Sequence, residues 1–396
     1  MVTYPSDWTP MQLRDIGYIQ MCRRIFQSQT KAYGAIPFYK ISTFGGKADA
    51  YISQELYEKY KLLYPYPEKG DVLISAAGTI GKAVIFDGKD SYFQDSNIVW
   101  LKVDKDAIDR KFLWWFYRSF PWNALEGTTI QRLYNSIILD TEIHLPDKPE
   151  QEGIARTLSQ FDTYIDDLAE LIEKKKGIRD GALEDLISGK ARIVGFSGER
   201  KEYSINDITC EVITGGTPST SRREYYGGNI PWLASTEIHQ KRITKPTTYI
   251  TELGLQNSSA KIAPEKSVLI ALAGQGKTRG TAAYLTKPMA LNQSLAALVT
   301  NEKCNSEFLY YLVESMYSSL RELSSGDGGR GGLNKKLIKG VLVKIPIDVD
   351  EQEAIANILF AMDEEIRDLE TEREKIIQIR EGAMDDLLTG RVRLTK

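Results

Sequence analysis

Apolar residues recur at a 3-4 spacing along two stretches of this chain and gather in short blocks elsewhere. In the first stretch Ile154, Phe161 and Leu168 form one row, and Leu158 and Ile165 form the complementary one. In the second the rows are Ile355, Met362, Leu369 and Leu359, Ile366. Such a seam predicts a helix with a narrow apolar stripe that pairs with another helix, as in a coiled coil. The intervening residues are mostly Asp, Glu, Lys and Arg, the composition of a solvated face. Each helix can start after a proline (Pro149, or Pro346 with a short spacer) and stop at Gly189 or Gly390. About 38 residues at ~1.5 Å per residue make a rod of roughly 57 Å.

The two stretches are copies of each other. Glu150–Ile193 and Glu351–Leu394, aligned at an offset of 201, match at 20 of 44 positions without a gap. That period is too long for a solenoid repeat; it implies two fused units, each a globular part followed by a long helix. The expected fold is α+β: two globular mixed α/β parts (1–148 and 194–347) separated by two long helical spacers (149–193 and 348–396). The helices should pair as an antiparallel coiled coil within a pseudo-two-fold repeat, because a short linker follows the first and a whole globular part separates the two.

The globular parts repeat one order of blocks. IPFYKISTF (from Ile36) corresponds to IPWLASTEI (from Ile230), and GDVLISAAGTIGKAVIF to the strand–loop–strand block around VLIALAGQGKTRGTAAYL, with a few residues inserted in its loop. FQDSNIVWLKV matches ALNQSLAALV as a strand, and KFLWWFYRS matches EFLYYLVES as a buried aromatic helix. Each part closes with a polar loop and a strand ending at Pro146 or Pro346.

Charge sharpens the division. Net charge is −3 overall. Residues 150–193 carry 10 acids and 7 bases and 351–396 carry 12 and 7, so the helices total −8 and the remainder +5. Mildly basic globes and acidic rods suit a protein whose globes touch nucleic acid while its rods meet something else. No apolar run approaches a membrane span, and MVTYPSDWTP has no signal segment, so a cytoplasmic protein is expected. Cys22, Cys210 and Cys304 read as reduced, buried thiols. Two histidines, His144 and His239, are too few for a His-rich metal site.

Catalytic signatures are missing. ALAGQGKT (Ala271–Thr278) loosely fits a phosphate loop, but the following RGTAAYL reads as strand where a phosphate loop would start a helix. No Pro-Pro pair exists, so the Asp/Asn-Pro-Pro-aromatic motif of amino-methyltransferases is absent. The polar loops, by contrast, carry residue types that read bases: Asn and Gln for adenine, Arg and Lys for guanine, Ser and Thr for either. In the first globe these are Ser75, Thr79 and Lys82, then Gln94, Ser96 and Asn97, then Gln131, Arg132 and Tyr134. In the second they are Thr217, Ser219 and Arg222, then Gln275, Lys277, Thr278 and Arg279, then Asn292, Gln293 and Ser294, and finally Arg330, Lys335 and Lys336. A P-loop NTPase and a coiled-coil protein scaffold are the competing readings.

LPDKPEQEGIARTLSQFD, IRDGALEDLISGKARIVGFSGE, ITGGTPSTSRREYYGGNIPWLASTEI and the closing GAMDDLLTGRVRL resemble the specificity (S) subunit of type I restriction–modification systems. The resemblance covers the chain from end to end. It implies two target-recognition domains that bind duplex DNA at a two-part asymmetric sequence, one half per domain. It implies that the helices set the gap and dock two adenine-N6 methyltransferase (M) subunits, which bring S-adenosylmethionine. Restriction/motor (R) subunits using ATP and Mg would join them. This chain itself would hold no cofactor, no metal and no catalytic centre.

Overall fold

The computed structural model describes residues 3–104, 106–122, 132–324 and 332–394. The chain divides into two compact units, Met1–Ala169 with Thr371–Lys396, and Glu170–Glu370. Each unit therefore contains one globular part and a segment of both long helices.

In the first unit β1 (Thr9–Gln12) and a single turn, α1 (Leu13–Ile16), lead into β2 (Gly17–Met21) and β3 (Ile36–Tyr39). β4 (Ala50–Ile52), α2 (Gln54–Leu63), β5 (Val72–Ser75) and β6 (Ala83–Ile85) follow. β7 (Tyr92–Phe93), β8 (Ile98–Val103), α3 (Arg110–Ser119), α4 (Asn135–Asp140) and β9 (Glu142–Leu145) come before the long α5 (Lys148–Ser188). The main sheet has the order β2-β8-β5-β6, a second has β4-β3-β7, and β1 pairs with β9.

Alternation of side chains sorts the main sheet onto two faces. Val72, Ile74, Val99 and Leu101 share a core with Phe112 and Trp115 of α3 and with Ile154 and Leu158 of α5. Leu73, Ile98 and Trp100 pack instead with Ile36, Phe38, Ile52 and Phe93 of the second sheet. With both faces covered, all four residues of β5 are buried, which is why this block reads as an unbroken apolar run. The aromatic helix α3 is buried as expected, and its first turn is capped by the Asp109 carboxylate, which accepts from Phe112 N at 2.8 Å.

The second unit repeats this plan. β10 (Arg200–Ser204), β11 (Thr209–Thr214), β12 (Tyr226–Leu233), β13 (Arg242–Ile243) and β14 (Thr248–Ile250) precede α6 (Glu252–Gln256) and β15 (Lys261–Ala263). β16 (Val268–Ala271), β17 (Ala282–Leu285), β18 (Met289–Leu291) and β19 (Leu295–Thr300) lead to α7 (Ser306–Ser315), α8 (Tyr317–Leu323) and α9 (Lys335–Lys339). β20 (Leu342–Pro346) and the long α10 (Val349–Leu388) close it. The sheets are β11-β19-β16-β17-β13, β14-β12-β18-β15 and β10-β20. Removing β13 and β15, additions at sheet edges, leaves the topology of the first unit.

The helices run 41 and 40 residues and end at Gly189 and Gly390 with φ of 78° and 70°, the left-handed stop that glycine adopts without strain. They pair antiparallel. Ile154 and Leu158 share a core with Leu387 and Leu388 in the first unit, and Leu183 and Ile187 share one with Ile355 and Leu359 in the second. Ile165, Leu168 and Ile366 of the seam are buried, whereas Phe161, Met362 and Leu369 are half-buried. The helices are not free-standing rods. Their opening turns, with Ile154, Leu158, Ile355 and Leu359, also sit in the globular cores, because α3 and α7 leave an apolar face of the main sheet that must be covered.

Cys22 and Cys304 are buried, and burial pushes both thiols up to about 12. Cys210, expected to be buried, is exposed; it lies where the β11–β19 register shifts between Thr209 and Glu211, and a bulge turns its extra residue out of the alternation. Among the described residues no helix is long and apolar enough to cross a membrane, and no cluster of His, Cys, Asp and Glu could hold a metal ion.

Candidate nucleic-acid interface

Three loops meet at one end of the main sheet in each unit, held by the same backbone bonds. In the first, Ala76 N donates to Asn97 O at 2.7 Å and Leu133 N to Ala76 O at 2.7 Å. In the second, Leu272 N donates to Ser294 O at 2.8 Å and Leu333 N to Leu272 O at 3.0 Å. The β5–β6 loop is closed by Ser75 N on Lys82 O at 2.9 Å, and the β16–β17 loop by Ala271 N on Thr281 O at 3.0 Å. The second loop is thus three residues longer on an identical frame.

Several candidate side chains build this frame. Ser75 is buried; its hydroxyl donates to Thr79 O and accepts from Lys82 N at 2.9 Å, so it shapes the turn and has no outward face. Gln94 Oε1 accepts from Ile41 N at 2.9 Å, Lys82 Nζ donates to Phe44 O at 2.5 Å, and Arg132 Nη2 donates to Ser96 O at 2.9 Å. Asn292 is also buried, with its Oδ1 accepting from Ser294 N at 3.1 Å. Thr79 and Tyr134 are exposed, and Ser96 and Asn97 half-buried.

In the second unit Gln275, Lys277 and Gln293 are exposed, and Thr278, Arg279 and Ser294 half-buried. Thr217 donates to Gln293 Oε1 at 2.6 Å, which brings the β11–β12 connection onto this face. Ser219 stands 2.9 Å from the Ser221 hydroxyl, and Arg222 Nη1 lies 3.2 Å from Glu224. Lys335 and Lys336 are exposed on α9, which starts beside Leu333. Gln131 and Arg330 lie outside the described residues.

The phosphate-loop-like stretch is a hairpin loop. Ala271–Thr278 joins β16 to β17, which pair antiparallel. The loop runs on into β17 and not into a helix, so it lacks the following helix on whose N-terminus a phosphate loop seats its phosphate. Its carbonyls are instead held by α8: Tyr317 Oη donates to Lys277 O at 3.1 Å and Arg321 Nη1 to Gly276 O at 2.6 Å.

Two further segments belong to this face. The turn after β3 is strapped to the hairpin loop through Lys82 on Phe44 O, and the turn after β12 through His239 Nε2, 3.1 Å from Thr278 Oγ1. The segment after β2 is tied in through Arg24 Nε on Asp95 Oδ2 at 3.0 Å. The block alignment from Ile36 and Ile230 marks the equivalent turns, and the basic pair Arg23–Arg24 marks the last segment. Neither signal shows that the residues reach the loop face.

The sequence pattern described as the type I restriction modification DNA specificity domain matches residues 5–176 and again 198–379. The chain belongs to that family. A relative in Haemophilus influenzae is 51% identical over 160 residues, which cover 40% of this chain and 42% of that protein, so the alignment spans less than half of either. The type I restriction enzyme MjaVIII specificity subunit of Methanocaldococcus jannaschii is 24% identical over 98% of this chain and 94% of its own length. The EcoR124I/EcoR124II specificity subunit of Escherichia coli is 25% identical over 64% of this chain and 63% of its own. The crystal structure of the type I restriction-modification S subunit from M. genitalium shares the fold, with a TM-score of 0.61 over 98% of this chain and 97% of that one at 19% identity. A structure bearing on complex assembly of the type I system gives 0.58 at 16% identity, over 98% and 100%. Each half of the specificity-domain match takes in one globular part and its three-loop face.

Proposed function

We propose that this chain is the DNA-reading subunit of a type I restriction–modification complex, and that each three-loop face reads one half of a two-part asymmetric sequence. The observation that carries this is the repeated frame. Identical backbone bonds present two loop sets whose polar side chains differ, Thr79, Asn97 and Tyr134 against Gln275, Lys277 and Gln293. One scaffold with two chemistries suits two different short sequences. Lys and Arg at the loop margins would anchor phosphates, and Asn, Gln and Ser would discriminate bases.

The paired helices fix the gap between the half-sites and dock two adenine-N6 methyltransferase subunits, and ATP-driven motor-nuclease subunits join that complex. In this reading S-adenosylmethionine, ATP and Mg belong to those partners, the chain performs no catalysis, and the complex works in the cytoplasm. The hairpin between β16 and β17 speaks against the NTPase alternative.

The test is a domain exchange. Residues 1–148 are replaced by the equivalent part of another specificity subunit, and DNA methylated in a host carrying the chimera with its methyltransferase is sequenced. One half of the methylated sequence should change and the other half and the gap stay. A change in both halves would show that the faces do not read independently.

A further inference from the structure

Arg24 is an exposed arginine held, among the described residues, at one nitrogen only. Its Nε donates to Asp95 Oδ2 at 3.0 Å, while its side chain remains 61% exposed and that of Asp95 only 18%. Among the described residues its two Nη atoms have no partner in a hydrogen bond or ion pair. The carboxylate thus holds the guanidinium at Nε and leaves the two-nitrogen fork without a partner among the described residues.

Both ends of this arrangement are rigid. Asp95 lies in a tight turn in which Asn97 N donates to Asp95 O at 2.6 Å and Ile98 N to Gln94 O at 3.1 Å. Ser96 adopts φ of 52°, and its carbonyl accepts from Arg132 Nη2 at 2.9 Å. That turn is one of the three loops of the candidate face, bonded to Ala76 through Asn97 O. On the arginine side, Arg23 N donates to the Tyr92 hydroxyl at 3.1 Å, which pins the backbone one residue before Arg24.

We propose that Arg24, positioned by Asp95, reads a guanine in the half-site of the first unit. This rests on the DNA-reading role proposed above and names one base within it. Guanine is the base whose major-groove edge offers two adjacent acceptors, O6 and N7, to such a fork. Adenine and cytosine place an amino donor there, which opposes an arginine. A phosphate is disfavoured because its charge would approach the Asp95 carboxylate through the guanidinium, whereas the neutral guanine edge meets no such repulsion. In the second unit Arg222 is held differently: it gives one arm of its fork to Glu224 in its own segment, with Nη1 at 3.2 Å. The assignment therefore concerns one half of the target only.

The experiment uses the full chain with its methyltransferase subunits and a pool of duplexes randomised at every position. Bound duplexes are sequenced for the wild type, Arg24→Lys and Asp95→Ala. Lysine keeps the charge and loses the fork, so guanine preference at a single position should fall by about 5–150-fold, the range of one bidentate pair, with all other positions unchanged. Asp95→Ala should relax the same position, because the freed arginine can turn to a phosphate, and should steepen the salt dependence of binding. The inference is overturned if Arg24→Lys leaves the selected sequence unaltered, or weakens binding evenly at all positions as a lost phosphate contact would. It is equally overturned if the affected position lies in the half that survives exchange of residues 1–148. A wild-type complex that selects no sequence at all would overturn the DNA-reading role itself, an outcome distinct from these.

Discussion

Arg380 Nη1 donates to Asp162 Oδ1 at 2.7 Å, and the same two repeat positions, exchanged between the helices by the 201-residue offset, make the bond from Arg179 Nε to Asp363 Oδ1 at 2.9 Å. A second reciprocal set joins Arg393 to Glu150 and Arg192 to Glu351, with closest approaches of 2.6 Å and 2.7 Å. Crossing bonds that recur with donor and acceptor helices exchanged are what an antiparallel pair of equivalent helices requires. The polar positions of the repeat thus encode helix pairing as much as its apolar seam does.

The two Arg–Asp bonds should differ in strength. Arg179 is 5% exposed and meets both Asp363 and Glu314, and Tyr311 Oη donates to Asp363 at 2.9 Å. Burial opposes its charge, but the carboxylates outweigh this and hold its pKa above the ordinary value. Arg179→Ala would leave two half-buried carboxylates without their cation, a loss of about 3 kcal/mol. Arg380 and Asp162 are 17% and 26% exposed, so Arg380→Ala should cost about 1 kcal/mol. Denaturant unfolding of each variant, with the double mutants carrying Asp363→Ala or Asp162→Ala, measures both couplings; equal couplings would contradict this account.

Gln151 and Gln352 explain why EQE stands in both copies of the repeat. Gln352 is fully buried; its Oε1 accepts from Asn305 N at 2.8 Å, and its Nε2 donates to Lys303 O at 3.0 Å and Pro346 O at 2.8 Å. Gln151 does the same work with Asp109 N at 2.8 Å and Pro146 O at 2.9 Å. Each glutamine ties the capping residue of the aromatic helix to the start of the long helix. Gln352→Leu keeps the volume and strands these backbone groups, so a loss of about 2–4 kcal/mol is expected in thermal or denaturant unfolding. Gln151→Leu, with one acceptor fewer, should lose less.

Much of this molecule was legible from its residues because a repeat compares the chain with itself. The seam from Ile154 to Leu369, the helix stops at Gly189 and Gly390, and the correspondence of the two hairpin loops all follow from period and alignment. Burial within a loop was not legible. Ser75 and Asn292 look like base readers by residue type, yet each is buried and spends its side chain on its own turn, on Thr79 O and Lys82 N or on Ser294 N. The Arg24–Asp95 bond spans 71 residues and leaves no local pattern. Cys210 escaped because a bulge breaks the alternation that would have placed it inside.

Acid should loosen the start of the first unit. Arg393 donates to both oxygens of Asp7 at 2.9 and 2.8 Å, and this bonding holds the Asp7 carboxyl below its ordinary value of 3.8. A carboxyl with a lowered folded pKa contributes stability that is fully present above 3.8 and disappears as pH falls through the lowered folded value. Asp7→Asn should therefore lower Tm relative to wild type at pH 5 to 7, and the difference should shrink steadily below the ordinary carboxylate range. A Tm difference that is constant from pH 7 to pH 3 would mean that the Arg393 bonds to Asp7 do not carry this stability.

Gly81 and Gly280 occupy the same place in the two hairpin loops, donating from N to Ser75 O at 3.0 Å and to Ala271 O at 2.9 Å. Both have positive φ, 83° and 84°, so alanine strains either by about 1–2 kcal/mol. Their surroundings differ. A Cβ on Gly81 would lie 2.3 Å from Trp122 Cδ1, and Trp122 cannot withdraw freely because its Nε1 donates to Tyr117 O at 2.9 Å. A Cβ on Gly280 meets nothing nearer than Arg321 Cγ at 3.3 Å, part of a flexible side chain. Gly81→Ala should therefore displace the first hairpin loop and erase discrimination in one half-site, with a clear drop in Tm. Gly280→Ala should lower Tm slightly and leave the other half-site readable. Methylation-site sequencing with thermal unfolding of both variants decides the matter: equal effects would mean that φ alone, and not the fit against Trp122, governs the loop.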